Sequence, residues 1–176
     1  MRYLMLLIGL VTLVACGSKP DVAPLKIGSE VDFTLLENQY GKPFPFEEEL
    51  ELLIFADDME ASSHVREAIQ RVAPECYEQG RLVFVADISG MPKMISQMVA
   101  VPKMRDYGFP IWLDYTGDAT GGLPVKEAHI SLIGIQAGAI TTIKYVQGVE
   151  PVADAVVPLC GLKPEQVATV PAAEAQ

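Results

Sequence analysis

Leu50-Glu51-Leu52-Leu53-Ile54-Phe55-Ala56 carries one charge in an otherwise apolar run, and its reading decides the class of the fold. A strand with one wet face alternates apolar and polar residues, whereas a strand covered on both faces reads as a continuous apolar run. A second run of the same kind, Arg81-Leu82-Val83-Phe84-Val85-Ala86-Asp87-Ile88, follows further along. Between them Val65, Ile69, Val72, Ala73 and Cys76 recur at helical spacing, so a helix is predicted from a cap at Ser62 or Ser63 to about Gln79. Gly80 is its stop signal. Two buried strands joined by an amphipathic helix form the unit from which parallel sheets are built.

The flanking elements complete the pattern. Residues 32–36 and 42–46 predict two short strands around the turn Asn38-Gln39-Tyr40-Gly41. Ser89 is the expected cap of a second helix with Pro92 near its first turn, and Pro102 breaks or restarts that helix before Tyr107. A short strand is predicted over 109–114. Residues 130–136 and 140–146 then form a hairpin around Ala137-Gly138, and a last amphipathic helix runs over 150–159. The order β-β-β-α-β-α-β-β-β-α predicts one α/β layer sandwich, with a central mixed sheet and helices on both faces.

The ends read differently. Met1-Arg2, an apolar run to Val14 and Leu13-Val14-Ala15-Cys16 have the organisation of a secretory signal. The run is too short for the roughly 20 residues of a permanent span. Leu-Val-Ala-Cys resembles the bacterial lipobox, which implies cleavage after residue 15 and diacylglycerol on Cys16. Gly17 is not the aspartate that retains such proteins in the inner membrane, so the expected address is the outer membrane, facing the periplasm. Residues 1–15 are thus the expected signal peptide and 16–26 the lipidated cysteine and tether. Residues 27–161 are the domain, and 162–176, rich in Ala, Pro and Glu, a disordered tail.

Hydrophobic residues make up 50% of the chain, enough for a substantial core, and the formal charge is −10. That balance argues against nucleic acid and against adsorption to anionic headgroups, so the membrane is reached through the acyl chains. With Cys16 lipidated, Cys76 and Cys160 remain in an oxidising compartment.

In this order and spacing the strands resemble the redoxin branch of the thioredoxin-like proteins, which includes peroxiredoxins and periplasmic thiol oxidoreductases. The resemblance rests on Asp32-Phe33-Thr34-Leu35-Leu36, the two buried strands, Phe109-Pro110-Ile111-Trp112-Leu113-Asp114 and the hairpin from Ser131 to Ile140. It implies a thioredoxin-like layer sandwich over roughly residues 26–159. Val85-Ala86-Asp87-Ile88 and Val101-Pro102-Lys103-Met104 also look like a group of small exported proteobacterial proteins without assigned activity. A flavin-binding reading has no support, because no G-x-G-x-x-G turn follows a strand.

Redox members carry a cysteine where the first buried strand meets the first helix, whose N-terminus favours the thiolate. Here that junction is Ala56-Asp57-Asp58-Met59-Glu60-Ala61-Ser62-Ser63-His64 and contains none. The family's cis-proline precedes the hairpin; Ala128, beside His129, stands in its place. Asp58, Met59, Ser62, Ala128 and His129 therefore mark a vestigial active-site region in a protein that is not an enzyme and has no cofactor. Its expected role is binding or assembling another, unidentified envelope component.

Two other classes compete. Met59 with His129, or a stripe of Met91, Met94 and Met98, supplies soft ligands for Cu(I), although methionines at this spacing more often pack a core. A thiol oxidoreductase is the third reading. A hydrolase built on Ser62, Ser63 and His64 lacks the G-x-S-x-G elbow, and those serines are expected to cap. Asp57-Asp58 and Glu47-Glu48-Glu49 lack calcium-loop spacing and are expected to be solvated. Finally, the thioredoxin-like arrangement that the resemblance implies packs the first and last helices on one sheet face, with Cys76 and Cys160 near their ends, which makes the two a candidate disulfide.

Overall fold

The two apolar runs pair in parallel at the centre of a six-stranded mixed sheet, with Ile54 opposite Phe84. The structure is a computed structural model that describes residues 22–44, 50–71 and 80–160. Its strands are β1 (Glu37–Asn38), β2 (Leu52–Ala56), β3 (Leu82–Asp87), β4 (Trp112–Asp114), β5 (Ile130–Gln136) and β6 (Ala139–Val146). The helices are α1 (Met59–Gln70), α2 (Lys93–Ile95), α3 (Val101–Arg105) and α4 (Glu150–Val156), with a π turn (Ser96–Ala100) joining α2 to α3 and a 3-10 turn (Val157–Cys160) after α4. Strand order is β1-β4-β3-β2-β5-β6. β2, β3 and β4 are mutually parallel, and β1, β5 and β6 pair antiparallel. The fold is thus the predicted α/β mixed-sheet sandwich.

Both faces of the centre are buried, as the continuous apolar runs require. Leu52, Ile54 and Ala56 of β2 join Leu82, Phe84 and Ala86 of β3 in one core, beneath Val65, Ala68 and Ile69 of α1 and Val152 and Val156 of α4. The alternate residues Leu53, Phe55, Val83 and Val85 enter a second core with Phe33, Leu36, Trp112 and Ile133. Each fully buried side chain of this size stabilises by about 1.5–3 kcal/mol. Among the described residues, the helical contributions, Val101 of α3 included, all lie in the first core. The two crossovers β2-α1-β3 and β3-α2-α3-β4 advance across the sheet in one direction. With right-handed connections, both helical segments then land on the same face. The second face is closed by the N-terminal segment and by Leu123.

Three local expectations are corrected. Residues 32–36 form no strand: Asp32 Oδ1 accepts from Thr34 N at 3.0 Å and Leu36 N donates to Phe33 O at 2.9 Å, closing a turn. Strand pairing survives only as β1 against β4 and a bridge from Glu37 to Pro43. The turn Asn38-Gln39-Tyr40-Gly41 is present, and Gln39 is buried in it. Its Oε1 accepts from Ile111 N at 2.8 Å and its Nε2 donates to Phe109 O at 2.7 Å. The cap of α1 is Asp58, not Ser62 or Ser63, and the helix starts earlier as a result. Ser89 does not cap the second helix, which starts after Pro92 without a side-chain cap.

The α-helix restarts as α3 at Val101, with Pro102 in its first turn. Val101 N donates to Ser96 O, five residues back, so the chain widens into a π turn where the proline ring would otherwise crowd the preceding turn. The signal segment, Cys16, Cys76, Glu47-Glu48-Glu49 and the tail lie outside the described residues. Within the expected tether, Leu25 N donates to Gly122 O at 2.7 Å, so the chain is already docked on the domain there.

Candidate functional site

β2 ends at Ala56, and the chain turns into α1 through Asp57 and Asp58. Asp58 has extended backbone angles, and its Oδ1 accepts from Ala61 N at 2.7 Å, satisfying one of the free donors that every helix start leaves. The carboxylate thereby occupies the positive end of α1 itself. The junction at which the sequence resemblance implies a cysteine thus holds an aspartate. β5 runs antiparallel to β2, with Phe55 opposite Ser131, so the turn before β5 comes to the same edge of the sheet.

That turn contains Ala128 and is built without proline. Ala128 has φ of 56°, in the left-handed region, and no described peptide bond is cis. His129 N donates to Lys126 O at 3.0 Å, and Gln147 Nε2 donates to Ala128 O at 2.9 Å, tying the turn to the residue after β6. Ser131 Oγ donates to Pro124 O at 2.6 Å below it. A non-glycine residue held at positive φ costs about 1–2 kcal/mol, which these three bonds offset.

Between the α1 start and this turn lies a cleft of about 440 Å³, lined by Asp57, Asp58, Glu60 and His64 on one side and Glu127 and Ala128 on the other. Of the residues predicted for the vestigial site, Asp58 and Ala128 therefore meet across one recess. Met59, Ser62 and His129 do not line it. Met59 is 80% exposed on the outer side of the helix start. His129 turns back on its own backbone, with Nδ1 2.7 Å from Glu127 O. Glu127 and His64 were not singled out for this cleft by sequence: pairing residues 64 and 127 requires knowing that β5 lies antiparallel beside β2.

The chemistry this cleft offers is acceptance of positive charge and of hydrogen-bond donors. It is lined by four carboxylates and one imidazole, with no thiol or lysine among its lining residues. The serines do not form a hydrolase constellation, since Ser63 Oγ donates to Met59 O at 2.9 Å, one helical turn back. Among the described residues no group of three or more His, Cys, Asp and Glu side chains is placed to hold a metal ion. The methionine stripe is not core either: Met94 is 73% and Met98 72% exposed, and Met91 is half-buried. Cys160 is disulfide-bonded, while the other two cysteines lie outside the described residues.

On the far side of β3, Trp112 is core, packed edge-on against Phe44 at 5.0 Å. The glycine-containing loop after β4 is held by hydrogen bonds to one carboxylate. Asp114, 3% exposed, accepts from Gly117 N and Thr120 N at 2.8 Å each and from Thr120 Oγ1 at 2.9 Å. Burial by itself would raise its carboxyl pKa, yet these donors and Thr116 N hold it below the ordinary value.

No family model matches the chain, and no curated protein matches it. Solved structures do. A putative protein disulfide isomerase from Bacteroides thetaiotaomicron is similar at 16% identity and a TM-score of 0.50, over 75% of this chain and 86% of that one. An uncharacterized thioredoxin-like protein from Porphyromonas gingivalis is similar at 14% identity and a TM-score of 0.50, over 77% of this chain and 95% of that one. At such identities the likeness concerns the fold, which is thioredoxin-like.

Proposed function

We propose that this protein is a periplasm-facing lipoprotein of the bacterial outer membrane, held by acyl chains on Cys16. Its thioredoxin-like domain works by binding another envelope component, not by thiol chemistry. The observation that carries this reading is the occupation of the α1 N-terminus. The position at which the fold activates a thiol holds the capping carboxylate of Asp58, with Asp57 and Glu60 beside it. Carboxylates around a thiol would raise its pKa and suppress the thiolate. Ala128 at positive φ, in place of a cis-proline, supports the same reading from the opposite wall of the cleft. The cleft itself persists, and its carboxylates suit a partner that presents cationic or hydrogen-bond-donating groups.

The test has two arms. Insulin reduction and peroxide reduction are measured for wild type and for Cys76→Ser with Cys160→Ser; both proteins should sit at background. Turnover in wild type that disappears in the double variant would overturn the reading. Crosslinking in the native envelope is then compared for wild type and Asp57→Lys with Glu127→Lys. A binding role predicts a specific adduct that the charge reversal removes.

A further inference from the structure

Met94, Ile95, Met98 and Val99 lie on the helical segment 93–105 and are 73%, 49%, 72% and 60% exposed. A helix that only closes a core would bury residues of this kind; here Ser96 and Val101 face inward instead. The charge pattern is local and unlike the rest of the chain. From Ile88 to Arg105 there is no aspartate or glutamate, yet Lys93, Lys103 and Arg105 fall in that stretch of a chain whose formal charge is −10. Lys93 and Lys103 are exposed beside the apolar strip. An exposed apolar strip flanked by lysines and free of acids is the composition of a helix lying in a membrane interface.

Position supports this occupant. β3 and β4 are parallel with Asp87 opposite Asp114, so the chain leading into Lys93 and the loop after β4 leave the sheet at one edge. Val22 lies against Gly121 and Gly122 of that loop. Six residue steps lead from Cys16 to Val22 and span at most about 22 Å. Acyl chains on Cys16 would hold this edge near the bilayer. The acidic cleft lies between β2 and β5, on the other side of β3 from β4. The cleft opens at that same edge, since β2 is parallel to β3, but it is displaced sideways along the sheet from the β3–β4 half. A second copy of the chain is the poorer occupant, because a two-fold contact through this strip would bring its lysines together.

The geometry points to residues 93–105 resting on the membrane surface, with the four apolar side chains among acyl chains and Lys93 and Lys103 at anionic headgroups. This inference rests on the Cys16 anchor. It is tested with the full chain, reconstituted in vesicles of phosphatidylethanolamine with a minority of phosphatidylglycerol. A photoreactive benzoylphenylalanine is placed in turn at Met98, at Ser18 beside the anchor, and at Lys144 on β6. Lipid adducts are expected at Met98 and Ser18 and not at Lys144.

Lys93→Glu with Lys103→Glu should lower the Met98 adduct at least about tenfold and leave the Ser18 adduct unchanged. An adduct at Ser18 with none at Met98, or a product of twice the chain mass at Met98, would overturn the inference. So would a heterologous protein in place of lipid at Met98 when the same chain is irradiated in its native envelope. Palmitate labelling separates the two readings. A labelled chain without the Met98 adduct refutes the helix contact and keeps the anchor, whereas an unlabelled chain with the adduct refutes the anchor.

Discussion

Replacing Asp114 tests how the sheet is coupled to the loop that receives the N-terminal segment. Its carboxylate is buried and accepts from two buried backbone donors, Gly117 N and Thr120 N, and from Thr116 N at 3.0 Å. In Asp114→Ala those two buried N–H groups lose their only described acceptor. Each unsatisfied buried donor costs about 1–3 kcal/mol, and partial entry of water reduces the sum, so a loss of about 2–4 kcal/mol is expected. Native domains hold only about 5–15 kcal/mol in all, so this is a large share.

Urea unfolding followed by the fluorescence of Trp112, the chain's one tryptophan, reads it directly. With a denaturant slope of about 1–3 kcal/mol/M the midpoint falls by roughly 1–2 M. Asp114→Asn keeps the shape but turns one acceptor into a donor facing donors, and it should lose most of the same stability. The pH dependence has a definite sign. The folded carboxyl sits below its ordinary value of 3.8, so its stabilising contribution is complete above that range and is lost as pH falls through the folded value. The gap between wild type and Asp114→Asn should narrow below about pH 4. A gap under about 0.5 kcal/mol at neutral pH, or one that does not narrow in acid, would refute this account of the loop.

Further outcomes follow from other residues. Gln39→Leu removes the acceptor of Ile111 N and the donor to Phe109 O in the core and should cost about 2–4 kcal/mol in the same unfolding assay. Ala128→Gly should be neutral or stabilising by up to about 1 kcal/mol, since φ of 56° suits glycine. Ala128→Pro should destabilise, because proline requires φ near −65°; thermal melts compare the two. Asp58→Ala should cost about 1 kcal/mol through loss of the α1 cap, while Ser62→Ala should cost much less. Cys160 should resist alkylation in denatured, non-reduced protein and become reactive only after reduction, as peptide mapping would show.

What sequence could establish follows from short-range physics. A strand covered on both faces must be apolar at every position, so Leu52 to Ala56 and Leu82 to Ala86 announce the central pair without any knowledge of their neighbours. The hairpin at Ala137-Gly138 is equally local, since both residues take positive φ there. Absence of cysteine from 56–64 needs no structure either. Where sequence reading failed, the deciding partner was remote. Asp32 to Leu36 has strand composition, but Phe33 and Leu36 both turn inward around a local turn, which breaks the two-residue period. Gln39 reads as a turn residue and becomes a buried bracket only because Phe109 and Ile111 pass beside it. The methionines read as core by their spacing, and whether a helical stripe meets a sheet or solvent depends on how the crossover lands. Ala128 faces Asp58 solely because β5 runs antiparallel beside β2. Local composition determined the elements and the missing thiol; strand order and crossover hand decided which side chains share the cleft and which stripe stays exposed.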